Sequence, residues 1–433
     1  VGSEMCIRDR YDEYKDTGIE WLPKLPSHWQ LEQLRKYIRQ VSKKGYPEKQ
    51  LLSVTREQGV IVRDTESKEE NHNFIPEDLS GYKYVEEGQL VINKMKSWQG
   101  AYGVSDYEGI VSPAYFVCDL DFSIKRFFSL ALRSSIYISF FAQYSKGIRV
   151  GQWDLSPVAL KSIPFLEPPL AEQERIVSYL ESKTLCIDAY VRERERELQL
   201  LNELKEAEVS NVIARGLNPD VKMKDSGIPW IGMIPEHWEV RRLSQVSYEH
   251  FISNKNIHHQ NLLSLSYGRI IRKDINTTEG LLPASFDTYQ VVEEENIVLR
   301  LTDLQNDQKS LRVGLVKEEG IVTSAYICLG VLNDSIIPSY LYNTLHSYDI
   351  KKLFYSMGGG LRQNLNWQGL KKIDIPLPPI EEQYAIVDYI EDKCAKVNSL
   401  MAELEAEIEY FKEYKQKLIA DCVTGQINVQ SEL

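Results

Sequence analysis

At 433 residues the chain is about three times the length of one ordinary domain, so it holds two or more domains and has ample length to bury their cores. With 43% hydrophobic and 26% charged residues its composition is globular, which excludes a disordered or collagen-like chain. A formal net charge of −12 excludes a histone-like polyanion binder, and six widely spaced cysteines with no C-x-x-C pair argue against a disulfide framework or zinc ribbon and suit a reducing, cytoplasmic setting.

Residues 1–10, VGSEMCIRDR, start with Val and read as an artefactual leader, with native sequence expected from Tyr11. A first mixed α/β domain is expected over 11–169. It opens on DTGIEWLPKLPSHW (Asp16 to Trp29) and holds short β-rich runs, QLVIN from Gln89 and AYFVCDL from Ala114, between turn residues. FFSLALRSSIYISFFAQY from Phe127 has helical spacing. Beyond Pro168–Pro169 no Gly or Pro occurs until Gly216, which predicts a helix over 170–215, roughly 65 Å long at the α-helical rise. The events then recur: a second mixed domain over 216–379 opens on DSGIPWIGMIPEHW (Asp225 to Trp238), and Pro378–Pro379 precedes a second helix over 380–425, leaving a tail at 426–433. Glu172 and Glu174, and Glu381 and Glu382, place carboxylates in the first helical turns, where the helix dipole favours them.

Both helices carry the alternating three- and four-residue spacing of a coiled-coil seam. In the second it runs through Val387, Ile390, Cys394, Val397, Met401, Leu404, Ile408, Phe411, Lys415, Leu418 and Cys422. In the first it runs, with more polar interruptions, through Val177, Leu180, Thr184, Ile187, Val191, Arg194, Leu198, Leu201, Lys205, Glu208 and Val212. Lys205 and Lys415 occupy equivalent positions, either as pins of partner and register or as side chains snorkelling from frayed ends.

A repeat at a period of about 210 residues organises the whole chain. Besides the two opening segments, LLSV at Leu51 returns as LLSL at Leu262, GIVSPAY at Gly109 as GIVTSAY at Gly320, and PPLAEQERIVSYLESK at Pro168 as PPIEEQYAIVDYIEDK at Pro378. Two like units of this kind pair most simply about a pseudo-two-fold axis, with the helices antiparallel. The acidity is uneven. Residues 11–170 hold 20 basic and 21 acidic side chains and residues 216–380 hold 17 and 18, while the helical stretches 171–215 (7 and 10) and 381–433 (5 and 12) carry −10 of the net −12. The near-neutral segments leave room for local basic faces.

The paired GIEWLPKLPSHW and GIPWIGMIPEHW, the helix starts PPLAEQERI and PPIEEQYAI, and the ending DCVTGQINV resemble the specificity subunit of Type I restriction–modification systems over about residues 11–430. The resemblance implies an α+β chain of two mixed α/β target-recognition domains separated by two long helices in an antiparallel coiled coil. It also implies a DNA-recognition subunit without catalysis of its own, reading a bipartite double-stranded target with one domain per half-site while the helices set the gap. Two methyltransferase subunits are the expected partners, with the doubled helix start at Glu172–Gln173 and Glu382–Gln383 as a lead to where they dock. Restriction/translocase subunits complete the expected complex, and S-adenosylmethionine, ATP and Mg²⁺ are expected in partners rather than here. The competing expectation is a structural coiled-coil scaffold joining two protein-binding heads.

Candidate base readers combine cations, amides and an aromatic near turn glycines. They are Lys94, Lys96, Trp98 and Gln99 in NKMKSWQG with Arg149 and Gln152 in GIRVGQW, and in the second domain Arg300 with Arg362, Gln363 and Asn364 in GGGLRQNLNW. Arg and Lys suit guanine and phosphate, whereas Gln and Asn suit adenine. Arg362 is singled out. The lead-in residues Trp21, Trp29, Trp230, Trp238, His28 and His237 are expected to pack rather than to touch a ligand. No metal site is expected, since His258–His259 has no ligand at useful spacing. There is no G-x-x-x-x-G-K-[ST] loop, no G-x-G-x-x-G loop and no run of apolar residues long enough to span a membrane.

Overall fold

Short β-branched and apolar runs bounded by turn residues pair locally into antiparallel ladders, and longer Gly- and Pro-free stretches form helices. A computed structural model describes residues 10–64, 75–145, 153–256, 259–275, 285–305, 311–357 and 364–431. They fall into two units, one of residues up to Glu195 and from Ala406 onward, the other Arg196–Glu405.

In the first unit the opening segment forms a hairpin, Tyr14–Ile19 with Leu22–Pro26. Gln30–Gln33 then pairs with Pro164–Glu167, bringing the start of the domain beside the residues that precede the first long helix. The principal sheet has four antiparallel strands in the order Ile38–Val41, Phe116–Leu120, Leu90–Ile92, Tyr102–Val104. Two ladders complete it, Lys83–Val85 with Gly109–Val111 and Leu52–Thr55 with Gly59–Val62. The run from Phe127 gives two helices, Lys125–Leu132 and Ser135–Tyr144. They part at Arg133, whose guanidinium donates to the carbonyls of Tyr102, Arg56 and Glu57 at 2.6–2.9 Å. Their buried face, Phe127, Phe128, Tyr137 and Phe141, closes the core with Phe165 and Trp29.

The second unit follows the same plan. Met223–Asp225 pairs with Met233–Pro235, and Glu239–Arg242 with Asp374–Leu377. The four-stranded sheet runs Ser247–Glu249, Ile327–Val331, Ile297–Leu299, Val313–Leu315, the same order as before. Gln290–Val292 pairs with Gly320–Val322, and Leu263–Ser266 with Arg269–Arg272. The repeated glycine of the GIV blocks has a steric cause. A Cβ at Gly109 would lie 2.6 Å from the Gln50 carbonyl oxygen and one at Gly320 2.7 Å from that of Asn261.

The long helices are Leu170–Arg215 and Ile380–Val423. Both are closed by a left-handed glycine, Gly216 and Gly425, each at φ +70, so the second ends slightly before the sequence suggests. Every seam position is buried or half-buried. Within the first unit Lys415 Nζ reaches Asp188 at 2.6 Å, and Tyr190 donates to Glu407 at 2.7 Å. Within the second, Lys205 Nζ reaches Asn398 at 3.1 Å and Tyr389 donates to Glu208 at 2.6 Å. Asp188 and Asn398 are equivalent in the repeat. Each seam lysine therefore crosses to the facing, antiparallel helix segment at the same register.

The opening segments fasten these helices. Glu172 accepts from the Trp29 indole at 2.8 Å and the Tyr11 hydroxyl at 2.9 Å and lies 2.7 Å from His28 Nε2. Glu382 accepts from the Trp238 indole at 2.9 Å and lies 2.6 Å from His237 Nε2. Burial and the Glu172 carboxylate push the Tyr11 hydroxyl far above its ordinary value. The same tryptophans seat a helix end: a Cβ on Gly425 would meet Pro26 at 2.5 Å and the Trp29 ring at 3.3 Å, and one on Gly216 would meet the Trp238 ring at 3.0 Å. One repeated motif thus ties the start of one helix to the end of the other within each unit.

Candidate nucleic-acid interface

In the first unit, strand Leu90–Ile92 ends at Asn93, and the chain turns through Lys94–Lys96 into a 3-10 turn, Ser97–Gln99, closed by Gly100 at φ +91. The Lys96 carbonyl accepts from Ala101 N at 3.2 Å, which locks this loop as a tight hairpin end. A second, distant segment joins it. Leu155 N donates to the Lys94 carbonyl at 3.1 Å, and Lys94 Nζ lies 3.2 Å from Asp154. The ring of Trp98 rests on Trp153, centroids 5.0 Å apart, and its buried Nε1 finds no acceptor among the described residues. Trp98 therefore holds the two segments together. Lys96 is exposed, and Lys94 and Gln99 are half-exposed. Arg149 and Gln152, on the approach to Trp153, lie outside the described residues.

The second unit places its candidates in the equivalent way. Arg300 follows strand Ile297–Leu299, Leu365 N donates to the Leu301 carbonyl at 2.9 Å, and Asn364 Oδ1 accepts from Asp303 N at 2.8 Å. Asp303 has φ +56, an unusual conformation outside glycine that the Asn364 bond supports. The loop that carries Arg300 is thus joined to Asn364, more than sixty residues further along the chain; Arg362 and Gln363 lie outside the described residues.

Sequence reasoning missed Arg312. It is fully buried, and its guanidinium donates to the carbonyls of Arg300 at 3.0 Å and Thr302 at 2.9 Å and to the Tyr355 hydroxyl at 3.0 Å, with the Tyr355 ring 5.3 Å away. It is the brace that shapes the Arg300 loop. No pattern in LRVGL marks it, since Arg312 lies just before the strand and it and the adjacent Val313 are both fully buried.

The doubled glutamate–glutamine at the helix starts is engaged inside each unit. Glu172, Gln173 and Gln383 are buried, and the glutamine amides donate to Pro168 at 2.8 Å and Pro378 at 2.9 Å. Outside the seam, the helices expose Leu200 and Leu204 and, at the repeat-equivalent positions, Tyr410 and Tyr414, whose rings stack 6.4 Å apart. No group of three or more metal-ligating side chains occurs among the described residues, and none of their helices is long and apolar enough to cross a membrane.

Residues 235–410 match the family model of the Type I restriction modification DNA specificity domain. The putative type I restriction enzyme MjaX specificity subunit of Methanocaldococcus jannaschii is 23% identical over 375 residues, covering 82% of each chain. The type I restriction enzyme MjaVIII specificity subunit of the same organism is 25% identical over 321 residues, covering 70% of each. A solved chain from a study of complex assembly and conformational transition in a type I R-M system superposes with a TM-score of 0.64 at 15% identity, covering 93% of this chain and 99% of that one, a likeness of fold.

Proposed function

From this chain's similarity to type I restriction–modification specificity subunits, we propose that it reads a bipartite DNA target, one half-site per unit. One observation carries the reading: the two units share strand order and loop placement, yet the loops after Ile92 and Leu299 hold unlike residues, NKMK against RLTD. Like scaffolds with unlike loops suit two different short sequences, with phosphate contacts positioning each unit and base-edge contacts specifying. Lys94, Lys96 and Gln99 serve the first half-site with Arg149 and Gln152; Arg300, Asn364, Arg362 and Gln363 serve the second. The two long helices, to which both units contribute, set the gap.

Two methyltransferase subunits dock on the acidic helices, where the exposed pairs Leu200/Leu204 and Tyr410/Tyr414 offer equivalent apolar anchors. Restriction subunits join that complex, and S-adenosylmethionine, ATP and Mg²⁺ bind to the partners. A gel-shift titration of the full chain against duplex DNA over a range of salt tests the reading. Retention that weakens steeply with salt is expected; no retention at any salt concentration would instead favour a scaffold joining protein-binding heads.

A further inference from the structure

Resting on that DNA-recognition reading, we propose that Lys44, Lys83 and Lys94 form a phosphate-holding cluster for the first half-site that the second unit lacks. Lys44 and Lys83 face each other across an antiparallel bridge. Lys83 Nζ donates to the Tyr115 carbonyl at 2.6 Å, and the Tyr115 hydroxyl accepts from Asn93 Nδ2 at 3.2 Å, one residue before Lys94. Lys83 therefore touches the tyrosine directly, Lys44 faces Lys83 across the bridge, and Lys94 follows the asparagine that reaches the tyrosine hydroxyl, beside the reading loop. Lys94 has Asp154 at 3.2 Å, whereas neither Lys44 nor Lys83 meets a carboxylate among the described residues. The adjacent Lys43 and Lys49 are neutralised by Glu86 and Glu108, each at 2.5 Å. Burial, then Lys44 and Lys94, hold the Lys83 ammonium below its ordinary value, so the arrangement disfavours the charge it carries.

Folding does not require that charge, because the second unit builds the same turn without it. Gln290 pairs with Val322 as Lys83 pairs with Val111, and its Nε2 donates to the Tyr326 carbonyl at 2.7 Å as Lys83 donates to Tyr115. Ser253 faces Gln290 where Lys44 faces Lys83. Leu301, whose carbonyl takes Leu365 N, stands where Lys94 takes Leu155 N. All three cations of the first unit are neutral in the second. Lysine presents a point charge rather than a planar fork, which suits a phosphate oxygen better than a base edge.

The test is a salt titration by fluorescence anisotropy on the full chain with a labelled random-sequence duplex, comparing the parent with Lys44→Ser plus Lys83→Gln. These are the residues the second unit carries at those places, so the tyrosine turn keeps its brace. The slope of log affinity against log salt should become shallower by about 1.8, roughly 0.9 for each phosphate that is no longer neutralised. Affinity should fall alike for every duplex sequence. Lys44→Ser alone, at an exposed position, should reduce the slope by about 0.9. An unchanged slope in a variant with parental circular dichroism, or a loss confined to some sequences, overturns the phosphate cluster while leaving DNA recognition standing. If the parent binds no duplex, the DNA-recognition reading fails and the cluster with it.

Discussion

Glu172 and Glu382 show how much one side chain contributes in this fold. Each opens a long helix, and each holds the histidine and tryptophan of its lead-in segment. They are not equal: Glu172 is buried and also takes the Tyr11 hydroxyl, whereas the Glu382 side chain is 42% exposed. Glu172→Ala should cost about 3 kcal/mol, because two buried donors lose their acceptor, and Glu382→Ala about 1 kcal/mol. Urea unfolding of both variants checks this; equal costs would mean that the Tyr11 contact and the deeper burial of Glu172 add no stability. The sequence made Trp29 and Trp238 legible as packing residues through their repetition, whereas Trp21, expected to pack with them, is 51% exposed, and His28 and His237 are exposed side chains tied to the glutamates. It made the glutamates legible only as dipole partners, since their acceptor role joins residues more than a hundred positions apart. Arg133 and Arg312 were invisible for a related reason. A buried arginine looks like any surface charge until its carbonyl partners, brought in from other strands, are known.

Among elements the helices were the most legible, because a seam period and bracketing Pro and Gly are local signals, and both lysines of the seam proved to have partners on the facing segment. Strand order was not legible: sheet pairing joins segments such as Ile38–Val41 and Phe116–Leu120 that no local pattern connects. The seam also makes the helices testable as a spacer. Deleting residues 192–198 together with 402–408 keeps both seams in frame while shortening each helix by about 10 Å. That is roughly three base pairs of B-DNA at 3.4 Å per step, which also turns the groove by about 100°. The preferred gap between half-sites should change, or specific binding should collapse. Binding across duplexes of every spacer length that matched the parent's would show that the helices do not set the gap.

At the scale of the whole molecule, duplication has kept the scaffold and varied the loops. The glycine closures, the tryptophan clamps, the four-stranded order and the tyrosine turns all recur, while Lys83 against Gln290 and Lys94 against Leu301 mark where the units part. The candidate site was half legible: the sequence nominated Lys94 and Lys96, and the fold added Lys44 and Lys83, whose approach depends on strand pairing. The central claim is that two unlike units each read their own half of one target. Selection of tight-binding duplexes from a fully randomised pool by the full chain, together with the methyltransferase subunits proposed to dock on it, followed by sequencing, tests it most directly. Two different short motifs should emerge, separated by a fixed number of unread base pairs, and exchanging residues 30–150 for those of a relative should alter one motif only. A single continuous motif, or a change in both motifs on that exchange, would contradict it.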